Sequence, residues 1–121
     1  MPAERKPHPF TVIYDADAVA EFATAVKAKE ERRAMFNAVE KLRELGDRLA
    51  PPHTKPLQGG EASGLCELRP RQGRSDWRAL YRRFGTTYVV LAFDRHENFP
   101  ALVARAQARA QQYAGPPLES R

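Results

Sequence analysis

GLCELRPRQGRSDWRALYRRFGTTYVVLAFDRH, residues 64–96, is the stretch that decides the fold. It holds three apolar runs of strand length, separated by turns that contain Gly or Pro, at 65–69, 76–84 and 87–93. Short apolar and β-branched runs bounded by turn formers are typical of strands. The stretch therefore predicts a meander of three strands, with the most hydrophobic run, 87–93, at the centre of the sheet.

Two further signals precede the meander. The run Phe10–Tyr14 is rich in β-forming residues and predicts one more strand. No Gly or Pro lies between Ala18 and Leu45, and apolar residues recur there at helical spacing, in two sets separated by a charged segment. Asp17 is the expected N-cap and Gly46 the expected C-terminal stop. One long bent helix or a helical hairpin fits this pattern, and we favour the hairpin because both apolar faces can then pack on one sheet.

The remaining segments predict a loop, a last helix and two flexible ends. Residues 50–63 contain several prolines and a Gly-Gly pair, which predict a loop. Pro100 is placed to open a helix with an apolar stripe, and Gly115 ends it. The ends, residues 1–9 and 115–121, are expected to be flexible.

The predicted order is thus β-α-α-β-β-β-α in a single domain, residues 1–121. Strands segregated from helices indicate the α+β class with a mainly antiparallel sheet. We expect a small, curved, four-stranded sheet, in which the first strand takes an edge or pairs with the central strand. The helices are expected on one face, with the other face open and rich in arginine.

Composition excludes several classes of protein. Of the 121 residues 42% are hydrophobic, as in ordinary globular domains. No apolar run reaches the roughly 20 residues that span a bilayer, and no signal-peptide core is present, so a cytoplasmic protein without membrane contact is expected. Cys66 is the only cysteine, which excludes an internal disulfide. The three histidines lack metal-ligand spacing and no glycine-rich nucleotide loop is present, so neither metal nor cofactor is expected.

The positive charge is confined to the second half of the chain. Residues 14–48 contain seven Lys or Arg and eight Asp or Glu, so the helical region is balanced and is interpreted as scaffold. Residues 62–113 contain nine Arg, no Lys and four Asp or Glu. The planar guanidinium suits phosphate and stacks on bases, so this excess favours a nucleic-acid partner. The alternative is that arginine merely fills surface positions.

Three motifs in order resemble a known family. Gly64-Leu-Cys-Glu-Leu-Arg69, then Trp77-Arg-Ala-Leu-Tyr81 and Val89-Val-Leu-Ala-Phe93 are similar to toxins of the RelE/ParE superfamily, and among these to the phage-derived, HigB-like branch. The chain departs from the family pattern after the last strand. Arg95-His96 stands where the family has paired lysines, and Phe99-Pro100 stands where it has Thr-Pro.

The resemblance implies the toxin of a type II toxin–antitoxin system, a ribosome-dependent mRNA endoribonuclease. The implied reaction is attack of a ribose 2′-hydroxyl on the adjacent phosphate, without metal or cofactor. The implied partners are a helix-turn-helix antitoxin, the ribosome and mRNA, with operator DNA bound only through the antitoxin complex. Two alternatives stay open: a ParE-like toxin that inhibits DNA gyrase without cutting RNA, and a decayed toxin that only binds RNA or antitoxin.

Four residues are candidates for catalysis. The reaction needs a base, an acid and cations for the phosphorane, and histidine and arginine supply these at neutral pH. The resemblance places Arg69 and Arg78 on strands and Arg95 and His96 at a strand end. The alternatives are that Arg78 only forms an ion pair with Glu67 across the sheet, and that residues 94–97 are a solvated charged turn.

Four more residues are candidates for RNA binding. His53 and Lys55 lie in the predicted loop before the second strand and could approach the same groove. Arg82 and Arg83 are adjacent on a strand, so they point to opposite faces and only one can contact a given RNA phosphate.

Overall fold

The computed structural model describes residues 10–58 and 64–114, which form three α-helices and five strands. In chain order these are β1 (Thr11–Tyr14), α1 (Ala16–Ala25), α2 (Lys29–Leu45), β2 (Thr54–Pro56), β3 (Cys66–Leu68), β4 (Trp77–Phe84), β5 (Thr87–Arg95) and α3 (Phe99–Ala114). The predicted α+β class and the helical hairpin are confirmed. The ends predicted to be flexible lie outside the described residues. Within the described ranges, no helix is long and apolar enough to cross a membrane.

The sheet has five strands in the order β1-β5-β4-β3-β2. The meander is antiparallel as predicted, and β1 takes an edge and pairs with β5 in parallel. The predicted count of four strands is wrong, because Thr54–Pro56, within the predicted loop, pairs with β3. This strand was missed because it has three residues and includes Pro56, which a sheet tolerates at its edge.

Helices cover both faces of the sheet, which corrects the expectation of an open, arginine-rich face. On one face α1 and α2 bury residues such as Val39 and Leu42 against Val90 and Phe93. On the other face α3 buries its apolar stripe against Leu91 and its neighbours. The physical reason lies in β5, where residues 88–93 are all buried: a strand that is apolar at every position needs cover on both sides.

The helix ends follow local chemistry. Asp15, rather than the predicted Asp17, caps α1, and its carboxylate accepts a hydrogen bond from the Ala18 N–H at 3.1 Å. The predicted stop at Gly46 is confirmed. Gly46 has a φ of 55°, and a Cβ there would lie 2.6 Å from the Phe10 ring, so only glycine lets β1 approach the end of α2.

All four tyrosines of the chain have a pKa above the ordinary value, and burial is the largest cause at each of them. The hydroxyl of Tyr88 donates to Asp47, and that of Tyr113 donates to Asp15. Burial disfavours the charged phenolate, and the neighbouring carboxylate accepts a hydrogen bond from the neutral phenol but repels the phenolate. Together these effects raise the pKa of both tyrosines to about 12.

We therefore expect the protein to lose stability at alkaline pH. An unfolded tyrosine ionises near pH 10, whereas the folded chain keeps these protons to about pH 12. The unfolded state thus releases protons first, so this stability is fully present below about pH 10 and falls as the pH rises towards 12. Ultraviolet titration should show late phenol ionisation in the native protein, and denaturant unfolding of Tyr88→Phe/Tyr113→Phe should show a weaker dependence on alkaline pH. Equal native and guanidinium-unfolded titration curves would contradict this.

Candidate functional site

Four strands place basic residues at the same end of the sheet. The Arg69 N–H donates to the His53 carbonyl at 2.8 Å, which extends the pairing of β2 with β3 by one residue. The pairing of β3 with β4, continued by one residue, sets Arg69 beside Arg78. Arg78 in turn pairs with Asp94, which Arg95 follows. Three of the residues predicted from the sequence, His53, Arg69 and Arg78, therefore lie in one row across adjacent strands, and Arg95 lies one residue beyond the end of that row.

Arg78 lies in this row but is buried, with 5% of its side chain exposed. Its Nε donates to Glu67 Oε2 at 2.9 Å, and its other nitrogens donate to the carbonyls of Gly73, Ser75 and Trp77 at 3.2, 2.5 and 2.9 Å. The ion pair with Glu67, which the sequence left open as the structural alternative, is thus present. A substrate phosphate could reach this guanidinium only by displacing these partners.

The segment that Arg78 holds has an unusual backbone. Between β3 and β4, Arg71 and Gln72 have φ values of 57° and 59°, and Gly73 has a φ of 92°. A non-glycine residue with a positive φ destabilises the folded state by roughly 1–3 kcal/mol, and it keeps this conformation only where surrounding contacts stabilise it. The hydrogen bonds from Arg78 to the carbonyls of Gly73 and Ser75 are such contacts. These two carbonyls therefore point towards Arg78, and the side chains of Arg71 and Arg74 line a cleft.

This cleft, of about 450 Å³, lies between α2 and the segment that joins β3 to β4. Among the described residues, His53 and one acid, Glu30, line it, and so do six Lys or Arg side chains, Lys29, Arg33, Lys41, Arg69, Arg71 and Arg74. The rest of its wall is alanine, leucine and two side-chain amides. Since six cations face one carboxylate, the cleft carries a strong positive potential that attracts anions.

Arg95 and His96 lie at the end of β5, apart from this cleft. The Arg95 guanidinium lies 5.0 Å from the centre of the Trp77 ring and 3.8 Å from Asp76, and 48% of its side chain is exposed. The His96 N–H donates to the Asp76 carbonyl at 2.8 Å, which fixes the backbone, while the residue itself is exposed. Both side chains are therefore accessible to a substrate.

Asp94, which precedes this pair, keeps its charge. Burial opposes ionisation of its carboxyl group, but bonds from the Asn98 amide, the Arg95 N–H and the Arg105 guanidinium outweigh burial and lower its pKa. The Asn98 and Arg95 bonds, at 2.9 and 2.7 Å, also fix the direction of the chain where it leaves β5. The turn that carries Arg95 and His96 is therefore held in place by a carboxylate.

The other residues predicted to bind RNA lie away from the row. Lys55 is exposed on the edge strand and does not line the cleft. Arg82 and Arg83 lie towards the far end of β4 and point to opposite faces as predicted: Arg82 lies 5.4 Å over the Phe84 ring, and Arg83 pairs with Asp47. Only His53 among the four joins the cleft.

Helix α2 contributes cations to the cleft that were not predicted from the sequence. The charges of the helical region balance in sum, yet Lys29, Arg33 and Lys41 all line the cleft. Together with Asn37 they recur every fourth residue, which places them on one face of a helix. That spacing, rather than net charge, was the signal that could have revealed them. Among the described residues, no group of His, Cys, Asp or Glu side chains is placed to hold a metal ion.

Comparison with solved structures defines the class of fold. The chain is similar to a doubly substituted E. coli toxin RelE in its free state, with a TM-score of 0.64 and 15% identity over 85% of this chain and 99% of that one. It is also similar to a YoeB/ParE toxin from Agrobacterium tumefaciens, with a TM-score of 0.53 and 13% identity over 72% and 99%. The RelE from an archaeal RelE–RelB complex of Pyrococcus horikoshii gives a TM-score of 0.53 and 16% identity over 72% and 94%. The fold is that of the RelE/ParE toxins.

Comparison with family models identifies the family. The model of the phage-derived Gp49-like proteins matches residues 25–112. The chain therefore belongs to the phage-derived Gp49-like family, which confirms the resemblance found in the three motifs. A comparison with curated proteins gave no match.

Proposed function

We propose that this protein is the toxin of a toxin–antitoxin pair and acts as a metal-independent endoribonuclease on mRNA at the ribosome. The observation that carries the proposal is the row of His53, Arg69 and Arg78 at one end of the sheet, with Arg95 and His96 just beyond it on β5. The Gp49-like family and the RelE-type fold support it. The cognate antitoxin is proposed as a partner because a solved relative is a RelE–RelB complex.

The proposed chemistry divides the row into two parts. His96 transfers a proton to or from the reacting ribose, and Arg95 neutralises the charge that develops on the phosphorane, because both are exposed and adjacent. His53 lies three inter-strand spacings from β5, about 14 Å across the sheet, which is too far for contact with the same phosphate. His53 and Arg69 are therefore assigned to neighbouring nucleotides, and Arg78 to positioning.

The proposal predicts RNA products whose ends record attack by the 2′-oxygen. Purified protein, incubated with programmed ribosomes in the Mg²⁺ buffer that keeps the ribosomes assembled, should cut mRNA and leave a 2′,3′-cyclic phosphate and a 5′-hydroxyl, because the 2′-oxygen attacks and the 5′-oxygen leaves. The product ends can be read by their response to phosphatase and kinase. Products with a 3′-hydroxyl and a 5′-phosphate would contradict the mechanism, because they require attack by water instead of the 2′-oxygen. Gyrase inhibition with intact RNA would favour the ParE-like alternative.

A further inference from the structure

The cleft between α2 and the β3–β4 segment contains cations without partners. No ion pair or side-chain hydrogen bond to Lys29, Arg33 or Lys41 is found within residues 10–58 and 64–114, although acidic residues alternate with them along α2. Opposite them, Arg74 is exposed, and Arg71 only approaches Glu31 at 3.9 Å. A folded chain that leaves this many like charges facing one another bears a repulsion that a bound polyanion would relieve.

We propose that this cleft binds the phosphate backbone of single-stranded RNA, as an extension of the proposed cleavage site. The inference rests on the proposed function, because it assigns the cleft to the same substrate. The cleft shares His53 and Arg69 with the row at the sheet end. An RNA strand that lies in the cleft thus reaches, across β3 and β4, the turn that carries Arg95 and His96.

The lining favours backbone over bases. Within the described residues, the His53 imidazole is the only ring in the lining of the cleft, and the apolar part of that lining is Ala34, Ala38 and Leu68, which offer no stacking platform. Its volume of about 450 Å³ is in the range of small-ligand sites and suits a few atoms of a single strand better than a duplex. The contacts are therefore electrostatic, sensitive to salt and independent of sequence.

An RNA backbone also fits the cleft better than an acidic peptide does. Four of its six cations are arginines, whose planar forks bind two phosphate oxygens at once. Lys29, Arg33 and Lys41 lie along one helix face at separations of four and eight residues, so a ligand with regularly repeated charges can contact all three. An acidic peptide, with unevenly spaced carboxylates and apolar side chains, would find few apolar partners there.

The test compares two variants of equal net charge. Arg33→Ala/Lys41→Ala removes cations from the cleft, and Lys27→Ala/Arg48→Ala removes two exposed cations outside it. Binding of a fluorescent 2′-O-methyl oligouridylate, which cannot be cleaved by 2′-hydroxyl attack, is measured by anisotropy over a range of salt. Each phosphate contact contributes about 0.7 to the slope of log K against log salt, so the cleft variant should lose about 1.4 and bind about 25-fold more weakly at 0.1 M salt than the unchanged protein. The control variant should bind nearly normally.

The outcomes separate this inference from the proposed function. Equal slopes for the two variants, or strong preference among oligonucleotides of different base composition, would overturn the cleft proposal while leaving cleavage intact. Polyglutamate of equal charge can also be tested as a competitor of the labelled RNA. If it displaces that RNA at a lower concentration than unlabelled RNA does, and only from the unchanged protein, the cleft would be assigned to an acidic protein segment instead. RNA binding that depends on Arg33 and Lys41 in a protein that cuts no RNA would support the cleft and overturn the proposed function.

Discussion

Replacement of Arg78 by alanine is expected to lower the free energy of unfolding by about 3–5 kcal/mol, because it leaves the Glu67 carboxylate buried without its partner. Only 5% of the Arg78 side chain and 6% of the Glu67 side chain is exposed, so water cannot replace the lost bond. The carbonyls of Gly73 and Ser75 lose their donor as well. A domain of this size is stable by roughly 5–15 kcal/mol, so the loss is a large part of the total. Urea unfolding followed by circular dichroism measures it.

A second variant distinguishes the effect of the Arg78–Glu67 ion pair from that of the hydrogen bonds that Arg78 donates to the backbone. In Glu67→Leu/Arg78→Met both charges are gone, and apolar side chains fill the site, so much of the lost stability should return. The carbonyls of the β3–β4 segment still lack a donor, so Arg71 and Arg74 lose their positions and RNA binding in the cleft should stay weak. If instead Arg78→Ala unfolds at the same urea concentration as the unchanged protein while cleavage falls by about a hundredfold, Arg78 contacts substrate, as the sequence predicted.

The meander was predictable because its signals are local. Each strand between Leu65 and Phe93 is bounded by residues that stop a strand, and the alternation of Trp77, Ala79 and Tyr81 assigns one face to the core, where all three are buried. The pairing of Glu67 with Arg78 was also foreseeable as an alternative, because antiparallel neighbours bring opposite charges together. The sequence did not decide between that pairing and catalysis, since both use the same residue.

The cleft was not predictable from charge totals, because it is built from segments distant in the chain. Lys29, Arg33 and Lys41 share their helix with four acids, and only the packing of α2 beside Arg71 and Arg74 gathers these cations into a cleft that Glu30 also lines. The packing of α3 on the second face of the sheet was not predicted either. The uninterrupted apolar run in β5 indicated burial on both sides, but the charged residues of β4 pointed the prediction towards an open face.

Replacement of His96 by alanine is expected to lower single-turnover cleavage by about 10²–10⁴-fold, the usual contribution of a positioned general acid or base. Stability should change by no more than about 0.5 kcal/mol, because the His96 side chain is exposed and the bond to the Asp76 carbonyl is made by its backbone N–H, which alanine keeps. Glu97→Ala, at the next exposed position of the same turn, is the matched control and should cut RNA nearly normally. A rate within threefold of the unchanged protein would show that residues 94–97 are the solvated turn that the sequence left open and that His96 does not transfer the proton.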